Sequence, residues 1–417
     1  MLYLTILGGA FLAWLIIVLL FTPHIPYHIE TDTDARSAHF VQVLESTLLT
    51  TMTQKNKVEI FTNGERFYPA TLEAIRGARE SVNLECYIFK DGEIGQQFVE
   101  ALTACARRGV RVTVVLDAIG SFGTYRRLGG RLKAAGCRVE RYQRITWYRL
   151  GRLNNRTHRE LLVIDGCIAF AGGAGVADWW ARPHKRKPAW RDMMARIEGP
   201  MVSDIQGIAA ENWLECCGEI LTGPETYKAR HPSGDVGGFA LKSSPSDRAT
   251  TSRVLFQLLV ESANQRVTIC TPYFLPDKAF RQAFIRAAKR GVEVRVLVPG
   301  SHTDQRWVRL ASRRMFGQLL EAGVRIYEYE PGMTHVKSLI VDELWCAIGT
   351  TNLDNRSFEH NDEVNVVFRD EALARRLLED VSADVRESRE ILLDDWRRRP
   401  VWEKLIGTVA WILERQQ

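Results

Sequence analysis

The sequence carries one arrangement of polar and apolar residues twice. In the second copy, His335 and Lys337 stand two residues apart at the front of an apolar run that ends at Asp342, and Asn352 follows. The first copy opens at His158, which lies 177 residues earlier. A repeat this long is not the period of a solenoid. It predicts two similar halves, each of which contributes one copy to a shared cleft.

The first copy keeps the histidine and the aspartate but differs at two other positions. His158 and Asp165 match the second copy, whereas Glu160 replaces the lysine and Gly175 replaces the asparagine. Asp165 and its counterpart Asp342 each end an apolar run. We therefore expect both aspartates to be structural residues that cap the turn after the strand.

The duplication extends beyond these motifs and predicts the fold class. Three pairs of segments resemble each other: 81–89 and 266–274, 107–112 and 289–294, and 135–139 and 322–326. Strands that alternate with helices in this order predict an α/β fold with mostly parallel sheets flanked by helices. The predicted divisions are a transmembrane anchor (1–30), a linker or helix (31–57), a first half (58–220), a linker (221–241), a second half (242–390) and a C-terminal amphipathic helix (391–417).

A histidine and a lysine on one side of a buried strand favour phosphodiester chemistry. Alternation along a strand sends His335 and Lys337 to the same face. An imidazole can attack phosphorus or carry a proton, a fixed ammonium can hold phosphate oxygens, and the amide of Asn352 can hydrogen-bond to them. The pattern predicts cleavage or transfer of a phosphodiester without a metal. Two histidines at matching places in a duplicated unit favour catalysis over an ordinary place in the core.

The pattern H-x-K-x4-D followed by G-x-x-N resembles the motif of the phospholipase D superfamily, whose members usually carry two copies per active site. The order and spacing of the motifs, with the apolar N-terminus, are similar to those of cardiolipin synthases and related membrane-bound phosphatidyltransferases. The resemblance implies a phospholipase D fold in which two halves form a pseudo-dimer, and a phosphohistidine intermediate without a cofactor. It also implies anionic phospholipids (phosphatidylglycerol and cardiolipin) as partners rather than nucleic acid, and a place in the bacterial inner membrane.

The resemblance assigns roles to the two histidines and their partners. His158 corresponds to the nucleophile and His335 to the general acid and base, although the reverse assignment stays open. Each imidazole needs a partner on its far nitrogen. Family spacing points to Glu363 for His335 and to Asp192 for His158.

The resemblance also indicates which residues would bind the phosphate. Lys337 and Asn352 would contact its oxygens, and Thr350 would supply a hydroxyl donor. Glycine at Gly173 would let the backbone approach the phosphate closely.

Glu160 is the strongest departure from the motif, because a carboxylate would repel a phosphodiester. Removing one charge-stabilising donor typically lowers a rate by about 10²–10³-fold. Three interpretations stay open. A guanidinium such as Arg156 or Arg159 replaces the lysine while Glu160 pairs with another arginine, or the protein is a slower or differently specific transferase, or the first half has decayed. The presence of Gly175 in place of the asparagine is open to the same interpretations, because glycine could let a backbone N–H donate where the asparagine would.

Composition and termini favour a globular enzyme attached to a membrane. Residues 2–21 form a continuous apolar segment long enough to span a bilayer, and we expect an uncleaved anchor. The net charge of +6 suits an anionic membrane as well as nucleic acid. Arginines interleaved with tyrosine and tryptophan between residues 138 and 191 are expected to contact lipid headgroups. Residues 391–417 predict a helix that either lies in the membrane interface or packs on the body.

Three alternatives to a phosphatidyltransferase remain. A hydrolytic phospholipase D would use water as the acceptor, and the acceptor is selected by pocket shape and water exclusion. A nuclease of the same superfamily would need no membrane span. A lipid-binding scaffold would need neither histidine for its function.

Overall fold

The computed structural model describes residues 3, 6–11, 14, 28, 29, 31, 33–143, 154–183, 187–228, 231–245 and 250–414 of the 417-residue chain. Helix α1 (Ala38–Leu48) precedes two halves of similar construction. The first half consists of β1 (Thr53–Thr62), α2 (Gly64–Gly77), β2 (Ser81–Cys86), α3 (Glu93–Arg107), β3 (Arg111–Asp117), α4 (Phe122–Arg127), α5 (Gly129–Ala134), β4 (Arg138–Tyr142), β5 (Arg156–Thr157), β6 (Leu161–Ile164), β7 (Ile168–Gly172), α6 (Asp178–Ala181), β8 (Met193–Glu198) and α7 (Val202–Cys217).

The second half repeats this order and then adds a C-terminal group of elements. It consists of β9 (Val236–Ser243), α8 (Thr251–Glu261), β10 (Arg266–Cys270), α9 (Lys278–Lys289), β11 (Glu293–Pro299), α10 (Arg306–Glu321), β12 (Arg325–Tyr329), β13 (Ser338–Val341), β14 (Trp345–Gly349), α11 (Asn355–Glu359) and β15 (Asn361–Arg369). The added elements are α12 (Glu371–Arg386), β16 (Ser388–Glu390), α13 (Leu393–Arg397) and α14 (Val401–Glu414).

Sixteen strands of the described chain form one sheet, in the order β16-β12-β11-β10-β13-β14-β15-β9-β1-β8-β7-β6-β2-β3-β4, with β5 paired to β15. Strands β2, β3 and β4 run parallel, and so do β10, β11 and β12. The other neighbours along this order run antiparallel. The motif strands β6 and β13 each continue through a tight turn into the next strand, which makes those two pairs antiparallel. The sheet is therefore mixed, and the prediction of mostly parallel sheets was wrong.

Glycines end equivalent helices in the two halves. Helix α3 ends at Arg107, and Gly109 follows with φ of +89°. Helix α9 ends at Lys289, and Gly291 follows with φ of +92°. A residue with a side chain adopts this left-handed conformation only at a cost, so glycine stops both helices at the same place.

Alternate residues of the motif strands enter different apolar cores. Leu162 and Ile164 of β6 belong to the core of the first half, together with helices α2 and α3. Leu161 and Val163 point the other way, into a core that also contains Ile340 of β13. This shared core packs the strands of the first half against those of the second. It therefore brings together the ends of β6 and β13 that carry the histidines.

The motif aspartates hold the segments before β2 and β10. The carboxylate of Asp165 accepts hydrogen bonds from the backbone N–H groups of Arg79, Glu80 and Ser81. That of Asp342 accepts bonds from the N–H groups of Asn264, Gln265 and Arg266. These contacts are to the turn that enters the neighbouring strand, whereas the sequence suggested the turn that follows the aspartate's own strand.

The two termini bear on the predicted membrane attachment. Among the described residues, no helix is both long and apolar enough to cross a membrane. The predicted span at residues 2–21 lies largely outside the described residues. Helix α14 packs on α10, where Glu403 pairs with Arg313 at 2.7 Å. Its other face is exposed and apolar, with Val401, Trp402, Leu405 and Val409.

Candidate active site

The backbone of each half holds the histidine of the other half in place. The N–H of His335 donates to the carbonyl of Arg191 at 2.7 Å, and the N–H of His158 donates to the carbonyl of Asp362 at 2.9 Å. Arg191 lies just before β8, and Asp362 lies in the equivalent strand β15. The two motifs therefore meet across the interface of the halves with an approximate two-fold relationship.

His335 lies between a carboxylate and an ammonium group. Its Nδ1 is 2.9 Å from Oδ2 of Asp192, and Nζ of Lys337 is 2.7 Å from Nδ1 and 3.1 Å from Nε2. Burial lowers the pKa of His335, and the charge of Lys337 lowers it further, while Asp192 opposes the shift. The imidazole is therefore uncharged at neutral pH. When a neutral imidazole donates from Nδ1 to Asp192, the lone pair is on Nε2.

The carboxylate of Asp192 is itself fixed by donors and by close packing. The backbone N–H of Met193 donates to Oδ1 at 2.9 Å, and the indole N–H of Trp180 donates to Oδ2 at 3.0 Å. A Cβ at Gly173 would lie 2.5 Å from Oδ1 of Asp192, so glycine is required there for the carboxylate to fit. Gly173 thus makes room for Asp192, and its carbonyl lies 3.5 Å from Nζ of Lys337.

His158 has an equivalent carboxylate but no lysine. Its Nδ1 lies 3.1 and 3.0 Å from the two carboxylate oxygens of Glu363. The hydroxyl of Thr350 and the amide of Asn361 donate to Glu363, at 2.5 and 3.2 Å. The ring of Tyr87 packs edge-on against His158 with its centroid 5.3 Å away. Thr350 therefore orients the carboxylate in this structure.

The structure exchanges the partners that family spacing had indicated. Glu363 lies on His158 and not on His335, and Asp192 lies on His335 and not on His158. Each carboxylate lies at the interface between the halves, where it meets the histidine of the other half. Spacing along the chain could not show this, because it gives no information on which half a side chain faces.

Glu160 lies in an apolar environment and not in an arginine pair. It is 5% exposed, and its Oε1 accepts from the backbone N–H groups of Tyr87 and Ile88 at 3.2 and 3.1 Å. It lines a small cavity of about 30 Å³ with mostly apolar walls that include Leu84 and Phe98. Burial raises the pKa of Glu160 well above the usual value. The side chain therefore keeps its proton where an exposed glutamate would be ionised, and it does not repel a phosphate.

The two arginines proposed to replace the lysine have other partners. Arg159 donates to the carbonyl of Ile208 at 3.0 Å and to Glu211 at 2.8 Å. Arg156 lies 3.5 Å from Asp117. Among the described residues Glu160 forms no ion pair with any arginine, so the expected pairing of Glu160 with another arginine is not found there.

Gly175 and Glu160 depart from the motif together. A Cβ at Gly175 would lie 2.8 Å from Oε1 of Glu160 and 2.5 Å from the carbonyl of Ile88. An asparagine would not fit at this position while Glu160 occupies its present place. In the second half, Asn352 is buried at the matching position, and its Oδ1 has no hydrogen-bond partner among the described residues.

The segment rich in arginine, tyrosine and tryptophan between residues 138 and 191 lies only partly within the described residues. Arg144, Trp147, Tyr148, Arg149, Arg152, His184, Lys185 and Arg186 lie outside the described residues. Of the others, Trp180 is buried, and the rings of Trp180 and Trp190 lie 5.5 and 5.4 Å from His335. Trp180 was expected to face lipid headgroups, but it is a wall of the histidine pocket.

Sequence reasoning missed several residues near the histidines. Tyr273 lies 6.5 Å from the ring of His335, and its hydroxyl donates to Asp304 at 2.8 Å. Tyr87 and Tyr273 both lie in or next to the duplicated segments 81–89 and 266–274. The duplication was therefore a signal that these strand ends also reach the shared site.

Comparison with known proteins agrees with this geometry. The chain matches the family described as "Cardiolipin synthase, PLD-like domain" over residues 71–184 and 257–385. It is 34% identical to Cardiolipin synthase 2 of Bacillus cereus over 362 residues, which cover 86% of this chain and 70% of the relative. It is 35% identical to Cardiolipin synthase A of Pseudomonas entomophila over 348 residues, which cover 82% and 71%.

Solved structures show the same fold at low identity. Phosphatidylserine synthase from Haemophilus influenzae matches with a TM-score of 0.69 and 13% identity, over 90% of this chain and 99% of that chain. Polyphosphate kinase from Porphyromonas gingivalis matches with a TM-score of 0.54 and 13% identity, over 88% and 54%. The resemblance inferred from the two motifs is confirmed: the chain belongs to the cardiolipin synthase family of phospholipase D-like proteins and is a phospholipase D-type phosphatidyltransferase.

Proposed function

We propose that the protein transfers a phosphatidyl group from one phosphatidylglycerol to another through a phosphohistidine, forming cardiolipin and releasing glycerol. The observation that carries the proposal is the pair of histidine–carboxylate contacts that cross between the halves, with one lysine beside them. Two imidazoles in one cleft can divide the work of attack and proton transfer. The names of the relatives supply the substrate class.

The different surroundings of the histidines support a division of roles. Burial, together with the charge of Lys337, lowers the pKa of His335 and favours the uncharged imidazole, which is the form that attacks phosphorus. His158 has Glu363 beside it and no lysine, because Glu160 stands at the matching position. A carboxylate beside Nδ1 orients the ring of His158 and leaves Nε2 for proton transfer. We therefore assign the nucleophile to His335 and the acid and base to His158, which is the reverse of the first assignment from the resemblance.

The reaction then has two steps. Nε2 of His335 attacks phosphorus, the bond from phosphorus to the glycerol oxygen breaks, and His158 protonates the leaving alkoxide. In the second step His158 removes the proton from the acceptor hydroxyl, whose oxygen attacks phosphorus and releases His335. Lys337 would hold the non-bridging oxygens in both steps and offset their growing charge. The side-chain amide of Asn352, which is buried at the matching position, would donate its N–H groups to the same oxygens.

A membrane surface is the proposed place of the reaction. The apolar segment at residues 2–21 would anchor the chain, and the exposed apolar face of α14 would lie in the interface. Substrate and product would then stay in the bilayer. Deletion of residues 1–30 should release the protein from membranes on fractionation. Continued tight membrane binding of that variant would locate the attachment elsewhere.

The activity is tested with purified protein and vesicles that contain labelled phosphatidylglycerol. The expected products are cardiolipin and glycerol. His158→Ala and His335→Ala should each lose turnover, whereas His231→Ala, which changes an exposed histidine, should not. Phosphatidic acid as the only product would show a hydrolase instead, and absence of any product from folded protein would refute the proposal.

The nucleophile is tested by quenching the reaction in acid and mapping the labelled residue. We expect the label on His335, and we expect it to be lost in His335→Ala. A label that persists in His335→Ala and maps to His158 would reverse the two roles.

A further inference from the structure

Arg156 is a buried cation with unused hydrogen-bond donors beside His158. It precedes His158 by two residues and is 2% exposed. Its Nη1 lies 3.5 Å from each carboxylate oxygen of Asp117, which is the outer limit of a hydrogen bond. Its Nε and Nη2 have no partner among the described residues. Buried N–H groups are nearly always satisfied, so these donors indicate a ligand that the described residues do not supply.

A second arginine, which belongs to the other half, approaches the same part of the site. Arg356 lies in α11, and its Nη1 donates to the side-chain oxygen of Asn154 at 2.9 Å. In the described part of the chain it forms no pair with a carboxylate. His360 follows this helix, and its carbonyl accepts the backbone N–H of Arg156 at 3.3 Å. The backbone contact thus brings the two arginines together at the interface of the halves.

Both guanidinium groups act on the tyrosine that packs on His158. Burial raises the pKa of Tyr87, and the charges of Arg356 and Arg156 oppose that rise. The ring of Tyr87 lies 5.3 Å from that of His158. Both arginines therefore lie near Tyr87, whose ring packs on His158.

Lys337 already supplies a cation for the reacting phosphate, on the side of the cleft where His335 lies. Lys337 lies against His335, and Glu160 at the matching position is a buried group that holds its proton. The arginines do not restore the missing lysine, because they come from outside the motif and face Tyr87.

We propose that Arg156 and Arg356 bind the phosphate of the acceptor phospholipid, which is a second phosphodiester anion in the same cleft. The proposal rests on the proposed function. A phosphatidylglycerol acceptor brings its hydroxyl to His158, and its own phosphate is joined to that hydroxyl through one glycerol. Arginine forks bind such an oxyanion through several N–H groups at once. The site would thus favour a charged lipid acceptor over neutral alcohols or water.

The test measures how the phosphatidyl-enzyme divides between two acceptors. Vesicles of phosphatidylglycerol are incubated with labelled glycerol. Transfer to lipid gives cardiolipin, and transfer to glycerol gives labelled phosphatidylglycerol. The ratio of the two products depends only on the second step, since both come from one intermediate. Arg356→Gln should lower the ratio of cardiolipin to labelled phosphatidylglycerol by about tenfold or more. Arg375→Gln, which changes an exposed arginine on α12, should leave it unchanged.

A second variant changes the buried arginine, Arg156, and the continued use of glycerol as acceptor checks that this variant is folded. Arg156→Lys keeps the charge but loses the fork, and should lower the same ratio while labelled glycerol is still incorporated. An unchanged ratio in Arg356→Gln, with active protein, would overturn the acceptor site and leave the proposed function standing. Absence of both products with wild-type protein would refute the proposed function, and the acceptor site with it.

Discussion

Oδ2 of Asp192, at the front of β8, lies 2.9 Å from Nδ1 of His335, which belongs to the other half of the chain. Glu363 in β15 has the same relationship with His158. Neither half contains a histidine together with its carboxylate. The site therefore exists only when the halves are docked, and a change that loosens their interface would disable both imidazoles at once.

The exchange of partners predicts which double variants are coupled. His335→Ala and Asp192→Asn remove the two ends of one contact. The change in the free energy of unfolding of the double variant should therefore differ from the sum of the two single changes by about 0.5–3 kcal/mol. His335→Ala and Glu363→Gln should add within about 0.5 kcal/mol. Urea unfolding of the single and double variants measures both cycles. Coupling of His335 to Glu363, without coupling to Asp192, would contradict the observed pairing.

Glu160→Lys tests whether the first motif can be restored. The new ammonium would face the N–H groups of Tyr87 and Ile88 beside an apolar cavity, where it has no acceptor. We expect a loss of at least about 2 kcal/mol in the free energy of unfolding and a lower activity. Glu160→Gln is the matched control, because its amide oxygen can accept the same two bonds, and it should retain activity. A gain of activity in Glu160→Lys would show that the first half has decayed from a lysine-containing site.

The raised pKa of Glu160 makes stability depend on pH in a known direction. Below the ordinary value of 4.5 the carboxyl is protonated both folded and unfolded, and it has no effect. Above that value the unfolded chain loses the proton and the folded chain keeps it, so the folded state loses up to about 1.4 kcal/mol per pH unit. Glutamine has no proton to lose. The stability difference should therefore move in favour of Glu160→Gln between about pH 5 and pH 8, as measured by urea unfolding. A constant difference would show that Glu160 is ionised in the fold.

The motif aspartates should affect stability and not chemistry. Asp342→Ala leaves three backbone N–H groups without their acceptor at the entry to β10. We expect a loss of about 2–4 kcal/mol in the free energy of unfolding, with turnover per folded molecule close to wild type. Asp342→Asn, which keeps one acceptor oxygen, should lose less. A large loss of turnover in fully folded Asp342→Asn would assign this carboxylate a part in the reaction.

The sequence was most informative where a residue type has one physical use. Gly109 and Gly291 stand at matching places in the duplicated segments 107–112 and 289–294, and both follow helix ends, because a left-handed φ there favours glycine. The duplicated histidines marked the site for a similar reason, since an imidazole with a lysine on one face of a strand suits phosphate chemistry. These features depend on near neighbours along the chain, and they were readable without a structure.

The sequence by itself determined the two motifs, the halves that carry them and the family to which the chain belongs. Only the tertiary structure decided that Asp192 serves His335, that Glu363 serves His158, and that Glu160 is a buried partner of two backbone N–H groups. The antiparallel pairing of β6 and β13 with their neighbours was also a tertiary outcome. The physical reason is the same in each case. Spacing along a strand determines the face on which a side chain lies. The packing of the two halves determines which groups lie opposite that face.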